Sequence, residues 1–167
     1  MSRANQFFLK FIGLKDGSHK FEYDLDNSFF VSHDYSDFNS CDIKVKIELV
    51  KKTTVLELHM IGSGLANINC TLSNEPFDFE VNSKMKLLLK FGDKYDDSND
   101  ELIILPHGSH TVELDQFLYE MIVLSMPIRN VHPGIDDGSL KSDILNRLKD
   151  FDINKEKSSN FDPRWDK

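Results

Sequence analysis

A chain of 167 residues with 40% apolar and 29% charged residues fits a single globular domain. Its longest apolar runs fall well short of the roughly 18 residues needed to span a bilayer as a helix. A net charge of -8 repels polyanions as a whole, which argues against a general nucleic-acid binder and leaves only local basic patches for that role. Two cysteines, Cys41 and Cys70, are too few for a disulfide framework, and Met1-Ser2-Arg3-Ala4-Asn5 lacks the basic and apolar blocks of a secretory signal, so a reduced, cytoplasmic chain is expected.

Residues 6–12 and 19–24 are short aromatic and aliphatic runs separated by Lys15-Asp16-Gly17-Ser18, a turn composition that predicts an opening hairpin. The polar stretch from Asp34 to Ser40 reads as a loop, and a strand follows over about 42–50. There Ile43, Val45, Ile47 and Leu49 alternate with Lys44, Lys46 and Glu48, the period-two pattern of a strand with one buried face. After Lys51-Lys52 the pattern resumes at Leu56, Leu58 and Met60. Ile61-Gly62-Ser63-Gly64 then predicts a tight reversal, and Ala66, Ile68 and Cys70 form a third strand of an antiparallel meander.

From Phe77 to Phe91 every odd position except Ser83 is apolar, which predicts a long strand. Residues 93–101 read as an acidic loop before a short strand from Leu102 to Leu105. Leu114, Phe117, Leu118, Met121 and Ile122 recur at helical spacing, with Glu113 and Asp115 at the dipole-favoured start, and a helix over about 114–126 is ended by Pro127. A second helix over about 140–149 precedes a polar tail. The expected fold is therefore α+β: an antiparallel sheet or partial barrel of five or six strands with two helices in the C-terminal half. Residues 1–152 would form one domain and 153–167 a flexible tail.

Catalytic signals are close to absent. The acidic loop lacks the glycine and closing glutamate of an EF-hand, no spacing recommends a Ser/His/Asp triad, and no glycine run could cradle phosphate. His107 and His110 flank Gly108-Ser109 at a distance that would allow chelation, but histidines this close are ordinary in loops. His19 and His59 read as surface or hydrogen-bonded residues. Lys44, Lys46, Lys84, Lys86 and Lys90 would project from the polar faces of two strands, beside Lys51-Lys52, and form a basic ridge if those strands share a sheet. The ridge is a candidate RNA contact, against the plainer reading of a solvated face that discourages aggregation. Phe7, Phe8, Phe29 and Phe30 could stack on bases, but such pairs are more often core.

One short segment carries a resemblance. Cys70-Thr71-Leu72-Ser73-Asn74-Glu75-Pro76-Phe77 is similar to the Cys-x-x-Cys-x-x-Pro-Phe signature of the YceD family of large ribosomal RNA subunit accumulation proteins. In the family's order follow Glu113-Leu114 and Glu120 leading to Leu124-Ser125-Met126-Pro127, then Val131-His132-Pro133, and finally Asp162-Pro163-Arg164-Trp165. The resemblance covers about residues 42–167 and marks Cys70, Glu75, Pro76, Phe77, Glu120, Pro127, His132, Asp162, Pro163 and Arg164.

The resemblance implies a non-enzymatic role in accumulating 23S ribosomal RNA and assembling the large subunit, with no cofactor, no membrane and no small-molecule substrate. It implies pre-ribosomal RNA or a large-subunit ribosomal protein as partner, and the acidic balance suits a basic protein at least as well as RNA. The alternative is a protein-interaction module unrelated to ribosomes. Relatives can carry two cysteines in the first motif and Cys or His in the second, a set suited to tetrahedral zinc. This chain keeps Cys70 and His132 but has Ser73 at the second position, so no zinc is expected and Cys70 is expected to be a small buried packing residue.

Overall fold

The computed structural model describes residues 7–99, 101–136, 138, 139, 146, 147 and 150. The expected helix over 140–149 lies almost wholly outside them, and the tail, with Asp162, Pro163 and Arg164, lies entirely outside. The described residues fall into two compact units, one within 7–68 and 78–128, the other within 69–77 and 129–150.

In chain order the elements are β1 (Phe8–Lys10), β2 (Gly17–Asp26), α1 (Asn27–Ser32), β3 (Phe38–Lys51), β4 (Val55–Asn69), β5 (Pro76–Gly92), β6 (Asp96–Asn99), β7 (Leu102–Pro106), β8 (Thr111–Glu113), α2 (Asp115–Val123) and α3 (Pro133–Asp136). Six strands form one sheet in the order β2-β3-β4-β5-β7-β6. The sheet is mixed, not antiparallel, because β5 and β7 run parallel, with Leu89 opposite Ile103. Between them the chain passes through β6, which pairs antiparallel to β7 at the sheet's edge, so two reversals restore the direction of β5. β6 is the Asp96-Asp97-Ser98-Asn99 stretch expected as loop; it is exposed along its whole length and so carries no apolar alternation to betray it. The sheet does not close into a barrel, since β2 and β6 stand at opposite ends of the strand order.

Period-two alternation accounts for the core. Ile43, Val45, Ile47 and Leu49 of β3 and Leu56, Leu58 and Met60 of β4 are all at most 1% exposed, while the residues between them face solvent or its margin. Gly62-Ser63-Gly64 is not the expected reversal. It lies within β4, with Gly62 opposite Val45 and Gly64 opposite Ile43, and the inward row simply continues through glycine to Ala66 and Ile68. A Cβ at Gly62 would meet Ser83 Oγ at 2.5 Å and Ile122 Cδ1 of α2 at 2.8 Å, and one at Gly64 would collide with the backbone of Asp42 and Ile43. These glycines let α2 and β3 approach the strand closely, a packing role with the same composition as a turn.

The opening hairpin does not form either. β2 pairs antiparallel with β3 over its full length, and β1 pairs with distant β8, with Leu9 opposite Val112. The N–H groups of Phe11 and Ile12 both donate to His110 O, so the chain after β1 stays with the 110–113 segment and leaves β2 free to join the large sheet. The expected loop at 34–40 shrinks because β3 begins at Phe38, which is buried. Helix α1 was not foreseen. Asp26 caps it by accepting the Phe29 N–H at 3.2 Å, and it drives Phe29 and Phe30 into an aromatic cluster with Phe7, Tyr35 and Phe38. Helix α2 stops at Val123, short of the expected 126, and the chain turns through Ser125 and Met126, whose N–H groups bond Ile122 O and Val123 O.

Candidate functional site

Three sets of residues hold the sequence-marked positions. The first is the solvent face of the large sheet. Lys44 and Lys46 project from β3 and Lys84, Lys86 and Lys90 from β5, all exposed and alternating with core residues, and β4 lies between these strands. The strip they flank carries the apolar side chains of Ile61 and Leu65, 48% and 53% exposed. Acidic residues limit the basic character. Across the β2–β3 ladder Asp24 stands opposite Lys44 and Glu22 opposite Lys46, with Lys44 Nζ 3.7 Å from Asp24. At the β4 start, Lys52 Nζ lies 2.5 Å from Glu57 Oε1, a contact that holds the Glu57 carboxyl below its usual range. The lysines therefore share one face, with carboxylates among them, Glu48 on β3, Glu57 on β4 and Glu80 on β5, and beside them on β2.

The second set surrounds α2. Glu120 lies on this helix and accepts from Gln116 Nε2 at 2.6 Å. It lines a groove of about 380 Å³ with Tyr95, Asp97, Asn99, Glu113, Asp115, Gln116 and Phe117, a lining that contains four carboxylates and no lysine or arginine. Burial, and then the neighbouring Asp97 carboxylate, pushes the Tyr95 hydroxyl pKa up. Pro127 follows α2 in a segment that leaves Leu124 and Ile128 78% and 99% exposed. His33, which no motif or spacing marks in the sequence, contacts Asp115 of the groove lining. Its Nε2 lies 2.9 Å from Asp115 Oδ2, its Nδ1 lies 3.0 Å from Phe29 O, and its ring stacks on Tyr119 at 4.8 Å. Both ring nitrogens thus meet acceptors, and the imidazole ties α1 to α2. Neighbouring Tyr35 has its pKa raised to about 12 by burial and then by the Asp37 carboxylate. The cluster meets the groove only through Asp115, and its other contacts pack the end of α1 against α2.

The third set is the unit formed by Asn69–Phe77 and Arg129 onward. Cys70 and Ser73 are 2% and 3% exposed. A tight turn closes with Cys70 N–H donating to Glu75 O and Asn74 N–H to Cys70 O, with Asn74 at a φ of 58°. The second segment joins it through Thr71, whose N–H and hydroxyl both donate to Asn130 O, at 2.7 and 3.1 Å. His132 packs its ring edge-on to Phe77 at 5.3 Å. The structure thus brings Cys70, Glu75, Pro76, Phe77 and His132 into one unit, and Cys70 is more than the expected packing residue. Its Sγ accepts N–H groups from Leu72, Ser73 and His132 at 3.4, 3.5 and 3.3 Å. Burial pushes the thiol pKa up, but hydrogen bonds from the Ser73 side chain and these three backbone groups outweigh it and bring it down to about 7. Cys41, half-buried near Asp26 and Asp42, goes the other way, to about 11.

Among the described residues no three His, Cys, Asp or Glu side chains gather as metal ligands, and this holds for the 96–99 strand and for His107 and His110 as well. Around Cys70 and His132 the potential donors do not make a metal site: one thiol, one imidazole, and the neutral hydroxyl of Ser73.

No described helix is long and apolar enough to cross a membrane. No curated protein and no solved structure matches the chain. The model of one family, described as large ribosomal RNA subunit accumulation protein YceD, matches residues 58–167, a span that contains most of β4, and β5, α2 and the Cys70 turn in full. The chain belongs to the YceD family.

Proposed function

We propose that this protein is a non-enzymatic, cytoplasmic factor that supports 23S ribosomal RNA accumulation and large-subunit assembly by docking on pre-ribosomal RNA through the solvent face of its large sheet. The observation that carries the reading is the pair of lysine rows on β3 and β5, on either side of β4 with its exposed Ile61 and Leu65. Lysine ammonium groups held on a rigid sheet suit phosphate oxygens, and the carboxylates among and beside them, Glu48 on β3, Glu80 on β5 and Glu22 and Asp24 on β2, limit where an RNA strand would lie. Five such contacts would give binding a log–log salt slope of roughly -4.

The test is co-sedimentation of the purified protein with immature large subunits over a salt series. The variant K44E/K46E/K84E/K86E alters only exposed side chains and should fold normally; its association is expected to fall tenfold or more, with a flatter salt dependence. A variant that folds and co-sediments like the parent removes the sheet face from the account.

A second reading has its own support. The groove beside α2, with Asp97, Glu113, Asp115 and Glu120 and the aromatic walls Tyr95 and Phe117, suits a basic protein segment, from a large-subunit ribosomal protein or from a partner unrelated to ribosomes. Association that survives the lysine reversals but is lost in E113K/E120K favours a ribosomal protein, and a pull-down dominated by non-ribosomal proteins favours the unrelated module.

A further inference from the structure

The unit containing Cys70 has the form of a metal knuckle without the ligands of one. Ser73 follows Cys70 at the spacing of a second thiolate, but a neutral hydroxyl is a poor ligand, and its Oγ already accepts the Glu75 N–H at 3.4 Å. His132 uses Nδ1 to accept the Gly134 N–H at 2.8 Å. Three residues further on, repeating the spacing from Cys70 to Ser73, stands Ile135. Two donors with an alcohol and an alkyl group cannot complete a tetrahedral shell.

What converges instead is a set of backbone N–H groups. Leu72 and Ser73 donate to the Cys70 sulfur from within its own turn, and His132 donates from the other segment. In a metal knuckle the ion joins two such segments; here the sulfur stands at the junction, aided by the two Thr71 bonds to Asn130 O. We infer that this unit is a knuckle rebuilt to close without metal, in which Cys70 Sγ acts as the acceptor that ties the 70–77 turn to the 130–134 segment. Cys70 is a positioning residue for that junction. Its consequence is that this member of the family keeps the fold of the unit whatever the supply of zinc.

The experiment uses the full chain. Hydrogen exchange at the amides of Ser73 and His132 should be unchanged by a strong chelator, and should accelerate tenfold or more in C70A with amides of β3 unaffected. Cobalt titration of the parent should give no thiolate-to-metal absorption, whereas S73C/I135C, which completes a three-thiolate, one-imidazole set, should bind one cobalt ion with that absorption. Stoichiometric zinc on the purified parent, chelator-induced loss of protection, or a C70A variant with unchanged exchange would each overturn the inference. A double variant that folds yet takes up no cobalt would overturn the knuckle form, and should it fail to fold, the parent and C70A measurements decide the matter.

Discussion

The β3–β4 ladder and the Cys70 junction are held together in opposite ways. In the ladder, thirteen residue pairs and a row of side chains from Ile43 to Leu49 and Leu56 to Ile68 share the work, so no single polar atom is indispensable. In the junction, one sulfur accepts three N–H groups, and one carbonyl, that of Asn130, accepts the N–H and the hydroxyl of Thr71. Distributed apolar burial tolerates small losses at any one position and fails where two backbones touch. Convergent hydrogen bonding fails at its focus, because removing the acceptor leaves several buried donors unsatisfied at once.

The largest effect is therefore expected where the ladder has no slack. Gly64→Ala would drive a methyl group into the β3 backbone at Asp42 and Ile43, which cannot move aside as a flexible side chain could. A loss of about 3 kcal/mol is expected from such overpacking, read from urea unfolding, whereas Ser63→Ala on the solvent face should stay within about 0.5 kcal/mol. Equal effects at the two positions would refute the close-approach account of the glycines.

The junction is next, and pH separates it from the ladder. Cys70 ionises near 7 in the folded protein, below the usual thiol value of 9, so the thiolate's share of stability is complete above about pH 9 and is lost as pH falls through 7. Thiolate absorbance in the ultraviolet should show one group titrating near 7 and a second, Cys41, only near 11. Cys70→Ser should abolish the first step and leave the second, and a native protein with both thiols titrating together would dissolve the contrast. The smallest effect belongs to a cap. Asp26→Ala removes the acceptor for the Phe29 N–H and should cost about 1 kcal/mol, with Asp26→Asn recovering most of it.

How far the sequence disclosed these features follows from what kind of atom does the holding. The buried rows of β3 and β5 were legible because side-chain hydropathy alternates along them. Gly62 and Gly64 were misread because a glycine required by a close neighbour looks the same as one required by a turn. β6 was hidden by its uniform polarity, and with it the parallel pairing of β5 and β7. α1 left a usable signal, Asp26 capping a segment that contains Phe29-Phe30, but it is only six residues long. Of the candidate site, the exposure of the lysines was legible from the alternation, but their joining on one sheet needed the strand order and their acidic neighbours the β2–β3 register. The Cys70 junction was visible as a motif and obscure as a mechanism, since its donors are backbone N–H groups that every non-proline residue possesses. His33 was missed for a similar reason: its partners Asp115 and Tyr119 lie far along the chain.

The pairing of β1 with β8 bears on how the newborn chain matures. Phe8 through Lys10 find their partners only at Thr111 to Glu113, roughly a hundred residues later. At about 5–20 residues per second of translation, the first strand and fully buried Leu9 wait about 5–20 s for that partner to emerge. This edge can close only once the 111–113 segment has emerged, and the chain entropy of joining strands so far apart makes it a late step of folding.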